Sequence, residues 1–330
     1  MSIFALNPGR IPAYELITAI LQSMKKAFFL SLAAVLLLVS CSTKEAKPAI
    51  TKAEKVVAAL HDPSSKYVVV VAHRGDWRNF PENSIPAIES VIKMDVDIME
   101  LDLKMTKDSV LVLMHDGTLE RMSTGRGPAS DYTLEELRRF NLKTAHGVER
   151  PGIKIPTLRE ALEVCKDRIV VNVDQGYGYY DLVLGITEEL GMTDQVLIKG
   201  GKPLSEVKEK LASHQHNMMF MPVLDVNNAS QKAILEDYIA PDEPQLAYEI
   251  CFSTLDEDVK QTAKRITADG SKIWVNTIWG SLCGGYEDDL AFLSDDPGEV
   301  YGPILDLGTS IIQTDRPEFL IKYLESIGRR

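Results

Sequence analysis

The stretch HRGDWRNFPENSIPAIESVIKMDVDIMELDLKMTKDSVLVLMHD, His73 to Asp116, decides the fold. It begins directly after a β-branched apolar run, Tyr67 to Ala72, passes through a helical pattern ending near Met94, and enters a second apolar run, Asp97 to Leu103. Strand, helix, strand is the unit that lays two parallel strands side by side. A further run, Val110 to Met114, follows after only the Thr106-Lys107-Asp108-Ser109 turn. That is too short for a crossover connection, so the run reads as a hairpin excursion.

Downstream the same punctuation repeats. Apolar runs occur at Ile169 to Asp174, Gln195 to Lys199, Met218 to Leu224, Ala247 to Phe252, Lys272 to Ile278 and Ser310 to Thr314, separated by helical spacings such as Leu158-Ala161-Leu162-Cys165 and Val259-Ala263-Ile266. With the hairpin set aside, eight parallel strands remain, the number that closes an α/β (β/α)8 TIM barrel. Gly117 to Pro156 lacks strand alternation and reads as a small insertion after the second strand, with one helical piece near Leu134 to Phe140. Gly280 to Gly302 reads as a second irregular stretch.

The composition agrees with one large globular domain. Of 330 residues 45% are hydrophobic and 25% charged, with 21 Gly and 16 Pro, which excludes collagen-like, coiled-coil and disordered classes. A net charge of −12, from 36 basic and 48 acidic residues, argues against a nucleic-acid partner, and no protein partner is evident. The four cysteines, Cys41, Cys165, Cys251 and Cys283, form no CxxC pair and no zinc-type spacing.

From Met24 the text MKKAFFLSLAAVLLLVSC has the order of a secretory signal: two lysines, an apolar run, then small residues. Its end, Leu38-Val39-Ser40-Cys41, resembles a bacterial lipobox, which makes Cys41 the expected lipidation site and Met24 the expected start. The apolar run is too short for a membrane-spanning helix. The expected division is therefore residues 1–41 as upstream segment and signal peptide, 42–62 as a tether, and 63–330 as the barrel domain. The expected location is the bacterial cell envelope, exported and membrane-anchored through lipid.

Catalytic side chains of a barrel collect at the C-terminal ends of its strands. Here those ends carry His73-Arg74-Gly75, Glu100 and Asp102, His115-Asp116, Asp174, and Lys199. Glu100 and Asp102 lie two apart on one strand and so face the same side, the lumen. Burying two carboxylates together needs a cation, and the oxygen set Glu100, Asp102 and Asp174 suits Ca²⁺ or Mg²⁺ rather than zinc. His73 and His115 beside such an ion divide acid and base roles naturally, and Arg74 offers a fork for phosphate oxygens.

His73-Arg74-Gly75, Pro81-Glu82-Asn83-Ser84, Glu100-Leu101-Asp102, Thr106-Lys107-Asp108 with His115-Asp116, and Thr314-Asp315-Arg316-Pro317, in that order, resemble the glycerophosphodiester phosphodiesterase family. The resemblance implies a metal-dependent barrel hydrolase with His73 and His115 as acid and base and Glu100 and Asp102 as metal ligands. Its mechanism is similar to that of phosphatidylinositol-specific phospholipase C: a glycerol hydroxyl attacks phosphorus, and water opens the cyclic phosphate to glycerol 3-phosphate. The family's Glu-x-Lys on the third strand is replaced by Asn172-Val173-Asp174-Gln175-Gly176, so Asp174 stands as the carboxylate and Lys199 as a substitute cation. Trp279 is a candidate contact for glycerol or head group, Glu82 a candidate partner of site residues, and Asp315 is read as holding the turn before Pro317. Two other readings stay open: a phospholipase- or cell-wall-polymer-type phosphodiesterase on the same barrel, and a non-catalytic lipid-anchored phosphoester-binding protein.

Overall fold

The computed structural model describes Tyr14, residues 17–26, 49–239 and 244–330. Two compact units result, Met1–Ala49 and Ile50–Arg330. In the first, residues 17–26 are helical; the proposed signal sequence from residue 27 on and Cys41 lie outside the described residues. Among the described residues no helix is long and apolar enough to cross a membrane.

The second unit is the expected barrel. Its strands are β1 Val69–Ala72, β2 Ile98–Met105, β3 Leu111–Leu113, β4 Val170–Asp174, β5 Val196–Gly200, β6 Met219–Asp225, β7 Ala247–Cys251, β8 Lys272–Asn276 and β9 Ile311–Thr314. Eight run parallel in the order β1-β9-β8-β7-β6-β5-β4-β2, and pairing of β1 with β2 closes the ring. β3 is the hairpin excursion, antiparallel to β2 with Leu103 opposite Leu113. Outward residues such as Val70, Leu101, Val171, Val173 and Ile312 pack against the surrounding helices in the main core. The insertion after β3 has its own small core of Val112, Met114, Leu119, Met122, Leu137, Leu142 and Ile155, and its helix covers Leu134–Leu137.

Two expectations are corrected. Residues 42–62 are not all tether: Lys52–His61 is a helix, and the barrel unit begins at Ile50. Thr51 accepts the Glu54 N–H and Glu54 accepts the Thr51 N–H, a complete capping box. The helix buries Ala53, Val56 and Leu60 against Val69, Val71, Ile98, Val170, Leu197, Met221, Ala247, Trp274 and Ile311. Most of those partners sit at or near the N-terminal ends of the strands, so the helix is the floor of the barrel. The Gly280–Gly302 stretch is likewise structured, with helices at Asp288–Leu293 and Gly298–Asp306.

Candidate active site

The parallel register sets Glu100 beside Asn172 and Asp102 beside Asp174 on adjacent strands, all at the lumen's C-terminal end. One oxygen from each of Glu100, Asp102 and Asp174 lies within 4.8 Å of the others. Glu100 Oε2 accepts the Arg74 backbone N–H at 2.9 Å, and Asp102 Oδ2 accepts Asn83 Nδ2 at 2.8 Å. Burial together with the Asp102 and Asp174 charges holds the Glu100 carboxyl well above the usual carboxylate range. Three converging carboxylates with lone pairs to spare fit a hard divalent ion. Asn172 adds to that fit: buried beside Glu100, its amide oxygen and nitrogen have no hydrogen-bond partner.

The loop after β1 is shaped to present this centre. Arg74 and Asn83 both have left-handed backbones, each with φ of 55°. Gly75 follows with φ of 77°, and a Cβ there would stand 2.9 Å from Ala87 Cβ. Ser84 caps the Ile85–Lys93 helix, which frees Asn83 to bond Asp102 twice, through Nδ2 and by accepting the Asp102 N–H at 3.1 Å.

Both histidines have Nδ1 held by a carboxylate. His73 Nδ1 donates to Asp315 Oδ1 at 2.8 Å, and His115 Nδ1 donates to Asp116 Oδ1 at 2.7 Å. Since a carboxylate only accepts, Nδ1 carries the proton and, on a neutral ring, Nε2 carries the lone pair. His73 is buried, whereas the His115 side chain is 36% exposed. Asp116 is gripped by Arg121 Nε and Nη2 at 2.6 and 2.8 Å, which depresses its carboxyl far below the usual range. Arg121 also pairs with Glu82, and Arg74 Nη1 donates to Glu82 at 3.3 Å. Glu82 therefore holds two arginines beside the site.

Asp315 does more than hold a turn: it accepts from His73 and also from Trp77 Nε1 at 2.7 Å. Trp279 is 49% exposed and meets His73 edge-on, ring centroids 5.7 Å apart, with the Arg74 guanidinium 6.0 Å from its ring. Lys199 is buried and donates to Glu249 Oε2 at 2.9 Å; Glu249 in turn accepts Asn276 Nδ2 at 2.7 Å. The Glu249, Asp174 and Glu100 charges keep the Lys199 ammonium charged despite its burial. Lys104, which the sequence reading passed over, lies near Asp102, Asp174 and Asp116 and donates to Gln175; burial lowers its ammonium below the ordinary lysine value. Its signal was present, since Glu100, Asp102 and Lys104 share one strand face. A cavity of about 730 Å³ runs from Asp174 and Lys199 out past Tyr177 to Glu206 and Lys210.

Fold and centre together define a (β/α)8 barrel with three converging carboxylates and two carboxylate-held histidines. Residues 73–196 match the model of the glycerophosphoryl diester phosphodiesterase family. Residues 220–324 match a model described only as a domain of unknown function. The chain is 40% identical over 123 residues to a glycerophosphodiester phosphodiesterase of Caldanaerobacter subterraneus, and 40% identical over 100 residues to human glycerophosphodiester phosphodiesterase 1. These matches take in 37% and 30% of this chain. The chain spans about half the length of the first relative and 30% of the second. The fold is that of a glycerophosphoryl diester phosphodiesterase from Parabacteroides distasonis, with TM-score 0.65 and 23% identity over 84% of this chain and 93% of that one. A phosphodiesterase from Oleispira antarctica, solved with the product sn-glycerol-3-phosphate, aligns with TM-score 0.58 and 18% identity over 78% of this chain and 96% of that one.

Proposed function

We propose that this chain hydrolyses glycerophosphodiesters to glycerol 3-phosphate and an alcohol. The observation that supports the reading is a pair of histidines, each held at Nδ1 by a carboxylate, in segments bonded to the strand of the carboxylate cluster: Arg74, next to His73, bonds Glu100, and Met114, next to His115, bonds the Asp102 carbonyl. A bound Ca²⁺ or Mg²⁺ would supply charge neutralisation at the phosphoryl oxygens. Nε2 of one imidazole takes the proton of the neighbouring glycerol hydroxyl as its oxygen bonds to phosphorus, and Nε2 of the other returns a proton to the departing alcohol oxygen. The attacking oxygen is already tethered to the phosphate, so little orientational entropy is lost. Water then opens the cyclic phosphate with the roles of the imidazoles reversed. Arg74 and Lys104 are the cations suited to the phosphate oxygens; Lys199 is committed to Glu249. Trp279 is the apolar wall for glycerol.

The same reading takes the protein as exported and anchored through lipid at Cys41. Phosphodiester turnover is measured by release of glycerol 3-phosphate from sn-glycero-3-phosphocholine, with and without chelator. Loss with chelator, recovery with Ca²⁺ or Mg²⁺, and a drop of about 10²–10⁴-fold in His73→Ala and His115→Ala with unchanged circular dichroism are expected. Full turnover in either histidine variant contradicts the proposal.

A further inference from the structure

The segment between β8 and β9 brings in a carboxylate that the reaction above does not use. Asp288, at the start of the Asp288–Leu293 helix, is 2% exposed and surrounded by donors. Thr277 Oγ1 donates to Oδ1 at 2.7 Å, Tyr301 Oη to the same oxygen at 3.0 Å, and the Asp315 backbone N–H to Oδ2 at 2.8 Å. The neighbouring Asp289 accepts Arg78 Nη2 and Arg316 Nε, each at 2.8 Å. Residues 288 and 289 thus grip residues 315 and 316 from one side, while His73, Trp77 and Arg78 grip Asp315 from the other.

We propose that Asp288 is a positioning residue for His73: by accepting the Asp315 N–H it fixes the backbone from which the Asp315 carboxylate reaches His73 Nδ1. Two independent sets of contacts meet at Asp315. Its side-chain Oδ1 faces the imidazole and Trp77, and its N–H faces the buried acid, so a change at Asp288 is passed to His73 through a single residue. A neutral, well-packed residue would fill this space at less cost than a buried acid. Burial and the Asp315 charge push the Asp288 carboxyl up to about 7, so at pH 8, above that value, the ionised form that the Thr277, Tyr301 and Asp315 donors favour gains population. The inference rests on His73 being a proton-transfer group.

The test reads the imidazole directly. The Nδ1–H proton resonances of ¹⁵N-histidine-labelled protein at pH 8, assigned with His73→Gln and His115→Gln, report the two carboxylate bonds. In Asp288→Leu, which removes the acceptor of the Asp315 N–H, the His73 resonance shifts or broadens while that of His115, held by Asp116, stays in place. In turnover of sn-glycero-3-phosphocholine kcat falls about 10- to 100-fold with KM changed less than about threefold, as a misplaced group does. An unmoved His73 resonance in folded Asp288→Leu overturns the proposal. Should that variant not fold, Asp288→Ala, which also removes the acceptor, reads the same resonance: a shift supports the proposal and none overturns it. The resonance needs no substrate, so it decides the positioning role even if the phosphodiesterase reading fails.

Discussion

Gly75 shows how tightly the centre depends on single residues. A methyl at this position meets both the Ala87 side chain and the Ala87 backbone, and φ of 77° strains any L residue. The loop would have to move, and with it the Arg74 N–H that binds Glu100. Gly75→Ala is expected to cost about 1–3 kcal/mol in denaturant unfolding and to lower divalent-cation affinity in calorimetric titration. Asn83→Leu strips Asp102 of both amide contacts and is expected to weaken cation binding by about 10–100-fold, since partners that orient a ligand matter nearly as much as the ligand. Cation affinity unchanged in both variants would detach the β1 loop from the metal centre. Glu100 and Asp102 were legible because a period of two on one strand is a local signal. Asp315 and Asp288 were not, because their partners are brought together only by barrel closure. Glu249 was hidden inside an apolar run, Ala247 to Phe252, where one acid reads as an exception rather than as the partner of a lysine fifty residues earlier.

At the scale of elements, the strands were visible because buried parallel strands are apolar on both faces. The Lys52–His61 helix was passed over although Thr51-Lys52-Ala53-Glu54 is a capping-box text; its charges and its place after the signal-like segment gave it the look of a spacer. Its three buried side chains are worth roughly 3–6 kcal/mol of burial. A chain beginning at residue 63 should therefore unfold roughly 5–15 °C below one beginning at residue 50 in a thermal melt. Equal midpoints would show that the floor helix adds nothing. The two helices inside residues 280–302 escaped for a different reason: each is short, and their glycines, prolines and acids carry no apolar period that stands out.

For the molecule as a whole, the carboxylate cluster ties stability to pH and, on the proposed reading, to a cation. Glu100 binds its proton more tightly in the folded chain than in the unfolded one, where the ordinary value is 4.5. Without cation, stability is therefore retained at low pH and lost as pH rises through and beyond that value. On the proposed reading a divalent ion would act in the opposite sense, by binding the ionised carboxylates of the native state. Scanning calorimetry of chelator-treated protein is expected to show a midpoint that falls from pH 5 to pH 8, with Ca²⁺ or Mg²⁺ raising it more at pH 8. An equal rise at both pH values would argue against a cation at these carboxylates.

Lys52 and Arg330 both pair with Asp97, whose carboxylate also accepts the Tyr67 hydroxyl. The two ends of the barrel unit therefore meet underneath it, on the side away from the histidines. A short linker joining residue 330 to residue 50, with new termini opened at the exposed residues 145–148, would give a circular permutant in which every barrel strand is kept whole.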